Sequence, residues 1–159
     1  MERTDIRDAT AADLAAVGAI YEHEAMHGIA TFDAAGRAPE FWADKLAGPL
    51  LVAELAGSVG GFAYASTYRP RPAYDRTREV SVYLAEDARG RGVGRALYAA
   101  LLERLRADGV HTALAVIALP NEASVRLHES FGFVHRGTIR EVGCKFGRWI
   151  DTGFWQLEL

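Results

Sequence analysis

Arg89-Gly90-Arg91-Gly92-Val93-Gly94 is the stretch that decides how the rest of the chain is read. It follows Arg78 to Leu84, where Val80, Val82 and Leu84 alternate with Glu79, Ser81 and Tyr83, the period of two that marks a strand with unlike faces. It leads into a segment where Val93, Leu97, Leu101 and Leu105 recur at helical spacing, ending near Asp108-Gly109. Glycines at alternate positions between a strand and a helix let backbone N–H groups turn toward one anion. The helix N-terminus adds partial positive charge, and Arg89, Arg91 and Arg95 add full charges. In physical terms this is a cradle for a phosphate or pyrophosphate; the same stretch also reads as a flexible strand–helix turn. It is not a nucleotide P-loop, because no Gly-Lys-Ser/Thr follows. Nor is it the dinucleotide fingerprint, which needs glycine or alanine where Arg95 or Leu97 stands.

Working outward, Asp5 to Arg7 reads as a short first strand, and Thr10 caps a helix with Asp13 three residues on. Pro39 opens a second helix through Leu46. Leu50 to Leu55 and Val59 to Tyr68 form a hairpin around Ala56-Gly57-Ser58, followed by a loop rich in arginine and proline. Thr112 to Ile117 reads as an apolar strand buried on both faces, and Asn121 to Ser130 as a helix stopped by Gly132. Strands near Phe133 to Ile139 and Trp149 to Leu159 close the chain. Helices alternate with strands through the middle, so the class is mixed α/β around one sheet, and residues 1–159 read as a single domain.

Composition narrows the partners. The chain carries 18 basic and 21 acidic residues, a net charge of −3, which argues against general nucleic-acid binding. The longest apolar run, Ala113 to Leu119, is far short of the ~18 residues that span a bilayer. Glu2, Arg3, Thr4 and Asp5 lead straight into strand-like sequence, so a cytoplasmic location without a signal peptide is expected. Cys144 is the one cysteine, and the five histidines lack metal-ligand spacing, so no metal is expected. Trp42, Trp149 and Trp155 sit among apolar residues and read as core or interface. Sixteen of the 18 basic residues are arginine, and seven of them fall between Arg69 and Arg95 with only four acids. Arginine is the side chain for bidentate capture of carboxylate and phosphate, though the same cluster also reads as solvated loops.

With these motifs in order, the chain resembles the GNAT superfamily of acyl-CoA-dependent N-acetyltransferases, whose R/Q-x-x-G-x-G/A motif is matched by the glycine segment. Further stretches resemble its phosphinothricin N-acetyltransferase branch: Ala73 to Glu79, Ala115 to Asn121, Ser124 to Glu129, Lys145 to Trp149 and Gly153 to Leu157. The resemblance runs from near Ile6 to Leu159. It implies a mostly antiparallel central sheet, splayed where acetyl-CoA inserts between two strands, and a homodimer. It also implies that Val82, Tyr83 and Leu84 with residues Arg89, Gly90, Arg91, Gly92, Val93, Gly94 and Arg95 hold the coenzyme, and that Asn121 and Ser124 meet its pantetheine arm.

Glu79 is the proposed general base by this resemblance, because an amine attacks a thioester only after losing its proton. Its residue-level alternative is a surface carboxylate paired with Arg78 or Arg76. His128 stands where the branch has histidine, an acid for the departing thiolate; otherwise it is a packed helix histidine. Asn121 also suits a plain helix cap. The resemblance places Arg69, Arg71 and Tyr74 against the acidic groups of the acceptor, with Thr31 and Phe32 across from them. It places Lys145 and Arg148 in a loop close to the active site and the dimer interface. Two guanidinium forks suit a small amino-acid-like acceptor bearing carboxylate and phosphinate, sulfone or sulfoximine oxygens. In His23-Glu24-Ala25-Met26-His27-Gly28-Ile29-Ala30-Thr31-Phe32, Glu24 replaces an aromatic residue and Gly28 and Ile29 replace small hydroxyl residues. Arg76 and Cys144 also depart from the branch. The departures surround the acceptor pocket, so a polyamine or a protein N-terminus stays open as acceptor, as does a non-catalytic acyl-CoA sensor.

Overall fold

Ala56 and Gly57 both take left-handed backbone angles (φ 48° and 81°), the geometry of a two-residue hairpin turn. They join β2 (Leu50–Leu55) to β3 (Ser58–Thr67). This computed structural model describes residues 4–159; Glu2 and Arg3, on which part of the leader reading rests, lie outside them. Before that hairpin come β1 (Asp5–Asp8), α1 (Leu14–His27) and α2 (Pro39–Lys45). After it follow β4 (Thr77–Leu84), α3 (Val93–Ala107), β5 (Thr112–Leu119) and α4 (Glu122–Ser130). The chain closes with β6 (Val134–Lys145) and β7 (Arg148–Glu158). The strands form one seven-stranded sheet in the order β1-β2-β3-β4-β5-β7-β6. Every neighbouring pair is antiparallel except β4–β5, which is parallel. This is the mixed, mostly antiparallel sheet flanked by helices that the sequence predicts.

Each face has its own core. On one, α3 presents Leu97, Leu101 and Leu105 to Val80, Ala113, Ala115, Ile117 and Trp155, all buried. On the other, Val17 and Tyr21 of α1 and Trp42 of α2 pack on Val52, Phe62 and Tyr64. Aromatic rings there meet edge to face, Tyr21 on Trp42 at 5.1 Å and Trp42 on Phe62 at 5.3 Å, the arrangement ring quadrupoles favour. Among the described residues no helix is long and apolar enough to cross a membrane.

Three local expectations are adjusted. Thr10 opens a short 3-10 turn, Ala11–Asp13, before α1 begins, and the Asp13 carboxylate accepts from the Thr10 N–H at 2.8 Å. The last hairpin is longer than its alternation suggests, because bulges at His135/Gly137 and Ile139/Gly143 break the period of two while the ladder continues. Lys145 and Arg148 therefore pair across a tight Phe146-Gly147 turn instead of lying in a loop. Trp149 is 68% exposed on that hairpin, whereas Trp42 and Trp155 are core. Finally, β5 is not buried on both faces: Ala113, Ala115 and Ile117 are buried, but Val116 is 37% exposed, for a reason that lies in the sheet's centre.

Candidate active site

The parallel ladder between β4 and β5 lasts only from Thr77↔Thr112 to Glu79↔Leu114. Beyond that level the two strands part. Which backbone groups face the gap follows from the ladders on either side. The Ala85 N–H donates to the Gly60 carbonyl at 2.9 Å, so odd-numbered residues of β4 turn toward β3 and even-numbered ones toward β5. The Leu159 N–H donates to the His111 carbonyl at 2.9 Å, which turns the odd-numbered residues of β5 toward β7. Val82 and Leu84 on one side, and Val116 and Ala118 on the other, thus aim N–H and C=O groups into a wedge instead of a ladder. A second extended chain carrying amides fits such a wedge, since it can satisfy both edges at once. Tyr83 is the exception among the three strand residues expected at the coenzyme. Its backbone pairs with β3, and it brings its ring instead.

At one mouth of the wedge stands the glycine segment. Gly90 and Gly92 take φ of 72° and 78°, values a side chain disfavours, and Gly92 is the N-cap of α3. The first intrahelical bond is the Ala96 N–H to the Gly92 carbonyl, at 3.1 Å. The N–H groups of Val93, Gly94 and Arg95 thus lack intrahelical acceptors and carry the helix's positive end. Glu24, Arg89, Gly90, Asn121 and Ser124 line the cavity that leads inward from this mouth. The arginines differ. Arg89 reaches Glu24 at 3.2 Å, and Arg91 donates to the Asp87 carbonyl at 3.4 Å. Arg95 turns away to the Ser130 hydroxyl at 2.9 Å and over the Phe131 ring. Asn121 caps α4, its side-chain oxygen accepting from the Ser124 N–H at 3.2 Å.

Glu79 lies at the closed end of the wedge, on the strand face shared with Ser81 and Tyr83 and covered by α1. It lines a second cavity with Ala30, Thr31, Phe32, Tyr64, Val116 and Thr152. Burial pushes its carboxyl above the usual carboxylate range, since among the described residues no cation offsets the lost hydration. Neither neighbouring arginine pairs with it: Arg76 donates to the Gly109 carbonyl at 3.0 Å, and Arg78 to the carbonyls of Asp75 and Thr77.

His128 is buried on the coenzyme side, with both ring nitrogens engaged. A carbonyl can only accept, so the 2.7 Å contact to Ser124 O puts the proton on Nδ1. Nε2 then accepts from the Tyr98 hydroxyl at 2.9 Å. Burial lowers the His128 pKa, which keeps the ring neutral. Tyr98 and His128 both line the inner wedge together with Ser81, Val82 and Ser124.

The expected acceptor residues divide. Thr31 and Phe32 line the Glu79 cavity, and Thr31 is held by Tyr21, whose hydroxyl lies 2.8 Å from the Thr31 hydroxyl. Lys145 is buried beneath them and donates to the Thr31 carbonyl at 2.8 Å; burial lowers its pKa. Phe32 seats on Gly143 of β6, where any Cβ would strike the ring. Arg69, Arg71 and Tyr74 stay outside the lining, on the β3–β4 loop at the Glu79 end of the sheet. There Arg69 lies over Tyr68, and Tyr68 packs on Tyr74 at 5.2 Å. Arg148 is exposed at the hairpin tip. Sequence reasoning missed Tyr98 and Thr152. Tyr98 is legible only as one residue of an amphipathic helix, and nothing local marks Thr152.

A family model described as an acetyltransferase (GNAT) domain matches residues 6–154. A phosphinothricin N-acetyltransferase of Streptomyces viridochromogenes is 45% identical over 157 residues, 96% of this chain and 86% of that one. An L-methionine sulfoximine/L-methionine sulfone acetyltransferase of Pseudomonas paraeruginosa is 43% identical over 161 residues, 97% of this chain and 94% of that one. A solved GNAT superfamily phosphinothricin acetyltransferase from Sinorhizobium meliloti, in complex with AcCoA, superposes with a TM-score of 0.93 at 37% identity, covering 98% of this chain and 88% of that one. With the family model spanning most of its length and relatives covering nearly all of it, the chain belongs to the GNAT acetyltransferases.

Proposed function

We propose that this enzyme transfers the acetyl group of acetyl-CoA to the α-amine of a small amino-acid-like acceptor, with phosphinothricin, methionine sulfoximine and methionine sulfone the leading candidates. The observation that carries the reading is Glu79, a partly buried carboxylate with no cation beside it among the described residues, at the closed end of a wedge between unpaired strand edges. The names of the relatives supply the acceptor class.

The residues fit the coenzyme. Val82, Leu84, Val116 and Ala118 offer backbone partners to an amide-bearing arm, and Asn121 and Ser124 line its path. The N–H groups of residues 92–95, with Arg89 and Arg91, suit its pyrophosphate. Arg95 serves by holding α4 to the start of α3. Acetyl-CoA supplies an activated acyl thioester. Glu79 takes the proton of the acceptor ammonium, directly or through one water, and its raised pKa makes it a better base than an ordinary glutamate. Of the strand N–H groups that face the wedge, that of Val82 is nearer the base and is the donor for the developing oxyanion, whereas the Tyr83 N–H faces β3. His128 and Tyr98 lie on the wall of the inner wedge beside the departing thiolate, whose ordinary pKa of about 8.5 asks for only modest help. Thr31 and Phe32 seat the acceptor over Lys145, while Arg69, Arg71, Tyr74 and Arg148 act at the rim.

The same reading takes residues 1–159 as one domain working in the cytoplasm without metal, nucleic acid or membrane. It pairs as a homodimer, supported by the exposed Ile139, Val142, Phe146 and Trp149 along the last hairpin. Its consequence is resistance to glutamine-synthetase inhibitors. The test is CoA release with acetyl-CoA and, in parallel, phosphinothricin, methionine sulfone, methionine, spermidine and a peptide amine. Selective turnover of phosphinothricin or the sulfone supports the reading. Turnover of spermidine or the peptide alone overturns the acceptor class, and tight acetyl-CoA binding without any turnover makes the chain a sensor.

A further inference from the structure

Thr152 carries a side-chain hydroxyl that is buried and has no hydrogen-bond partner among the described residues. It sits in the middle of the sheet, on β7, opposite Ala118 of β5 and Ile139 of β6. Its backbone N–H and C=O turn toward β6, since the odd-numbered residues of β7 are the ones that bond β5, and the orphan is the side-chain hydroxyl. Valine has nearly the same shape and would fill this site without a stranded polar atom, since an unpaired buried hydroxyl costs stability. Such a group in a folded protein calls for a reason. Thr152 lines the same cavity as Glu79, which places the orphan on the wall of the acceptor site. We propose that the Thr152 hydroxyl is a specificity determinant that hydrogen-bonds an oxygen on the side-chain end of the acceptor.

Strand geometry says which end. Glu79 is level with Leu114 on β5, and Thr152 with Ala118. Four residues of strand separate the two levels, about 13 Å at the usual rise. The acceptor amine has to sit at the Glu79 end, within reach of the base. A carboxylate on the same α-carbon stays within about 3 Å of that amine, near Glu79. Only the far end of a four- or five-atom side chain spans the remaining distance once the two protein side chains have reached inward. The acceptor class is therefore an α-amino acid whose side chain ends in a sulfone, sulfoximine, phosphinate or similar oxygen. A matching acceptor without that oxygen leaves the hydroxyl stranded, the arrangement by which polar sites discriminate most strongly.

The proposal rests on the acetyl-transfer reading above, and one experiment separates the two. Values of kcat/KM for methionine sulfone and methionine, which share a skeleton and differ in the sulfur oxygens, are measured for the parent, T152V and T152S. The parent should prefer the sulfone. T152V should lose about tenfold on the sulfone, the worth of one ordinary hydrogen bond, with methionine unchanged within twofold. T152S should keep the parent preference. The thermal midpoint of T152V should equal or exceed that of the parent. If T152V does not fold, T152A against T152S makes the same comparison. An equal loss on both acceptors, or no change on either, overturns the Thr152 assignment and leaves the acetyl-transfer reading intact. If the parent acetylates neither acceptor, the Thr152 assignment falls; if it leaves phosphinothricin untouched as well, the acetyl-transfer reading falls with it.

Discussion

Two carboxylates in this molecule, Asp13 and Glu79, occupy opposite situations. Asp13 is buried at the sheet's β1 edge and is surrounded by donors: Arg7 at 2.8 and 2.9 Å and the Thr10 N–H at 2.8 Å. Arg7 also reaches Glu54 on β2. The pairing holds the Asp13 carboxyl well below the usual range. Glu79 is partly buried without a cation among the described residues, and burial raises its pKa. One site uses charge to fasten β1, β2 and the start of α1 together. The other tolerates an uncompensated carboxylate, and a stranded hydroxyl at Thr152, inside a sheet whose central ladder is broken. At these two sites the carboxylate that fastens the fold is satisfied within it, whereas Glu79 and Thr152 are left for a substrate to complete.

The sharpest way to break this contrast is substitution. E79Q should lower kcat by roughly 10²–10⁴, the range of a general base, with a thermal midpoint at or above that of the parent. D13N should do the reverse. Losing a buried, partly solvated pair costs about 1–3 kcal/mol, so the midpoint falls by roughly 5 °C while kcat stays within twofold. Calorimetry and steady-state kinetics on the same preparations decide both.

Stability against pH sharpens it further, because the two shifts have opposite signs. The depressed Asp13 pKa means its contribution is present above the ordinary carboxylate pKa and is lost as the pH falls through the lower, folded value. The raised Glu79 pKa means its contribution is present below the ordinary value and is lost as the pH rises through the folded one. Relative to the parent, D13N should thus lose its deficit in strong acid. E79Q should gain its advantage only as the pH rises above the ordinary glutamate pKa. A smaller effect is expected at Glu24, which holds Arg89 at 3.2 Å beside the coenzyme mouth. E24Q frees that guanidinium for phosphate and should tighten acetyl-CoA binding by about twofold to fivefold, the scale of a partly exposed pair, read by titration calorimetry.

What the sequence makes legible is local. The alternation around Glu79, the helical stripe ending at Leu105 and the turn at Ala56-Gly57 each follow from residues a few positions apart. Partnerships across the chain are not local. Arg7 finds Glu54 47 residues away, and Lys145 supports Thr31 from 114 residues away. Bulges hide half of β6, since they break the period while the hydrogen bonds continue. Thr152 escapes notice because a lone threonine in an apolar strand looks like any β-branched strand residue. Only the splay of β4 from β5 shows that its hydroxyl faces a cavity.

The central claim is that Glu79 removes the acceptor's proton, and its most direct test is the pH dependence of turnover in the parent and in E79Q with one acceptor. Without the carboxylate, reaction depends on the fraction of amine already deprotonated. The E79Q rate should then climb about tenfold per pH unit from neutrality toward the amine pKa, and its deficit against the parent should shrink accordingly. Parallel profiles separated by a constant factor, or no deficit at neutral pH, would contradict the assignment.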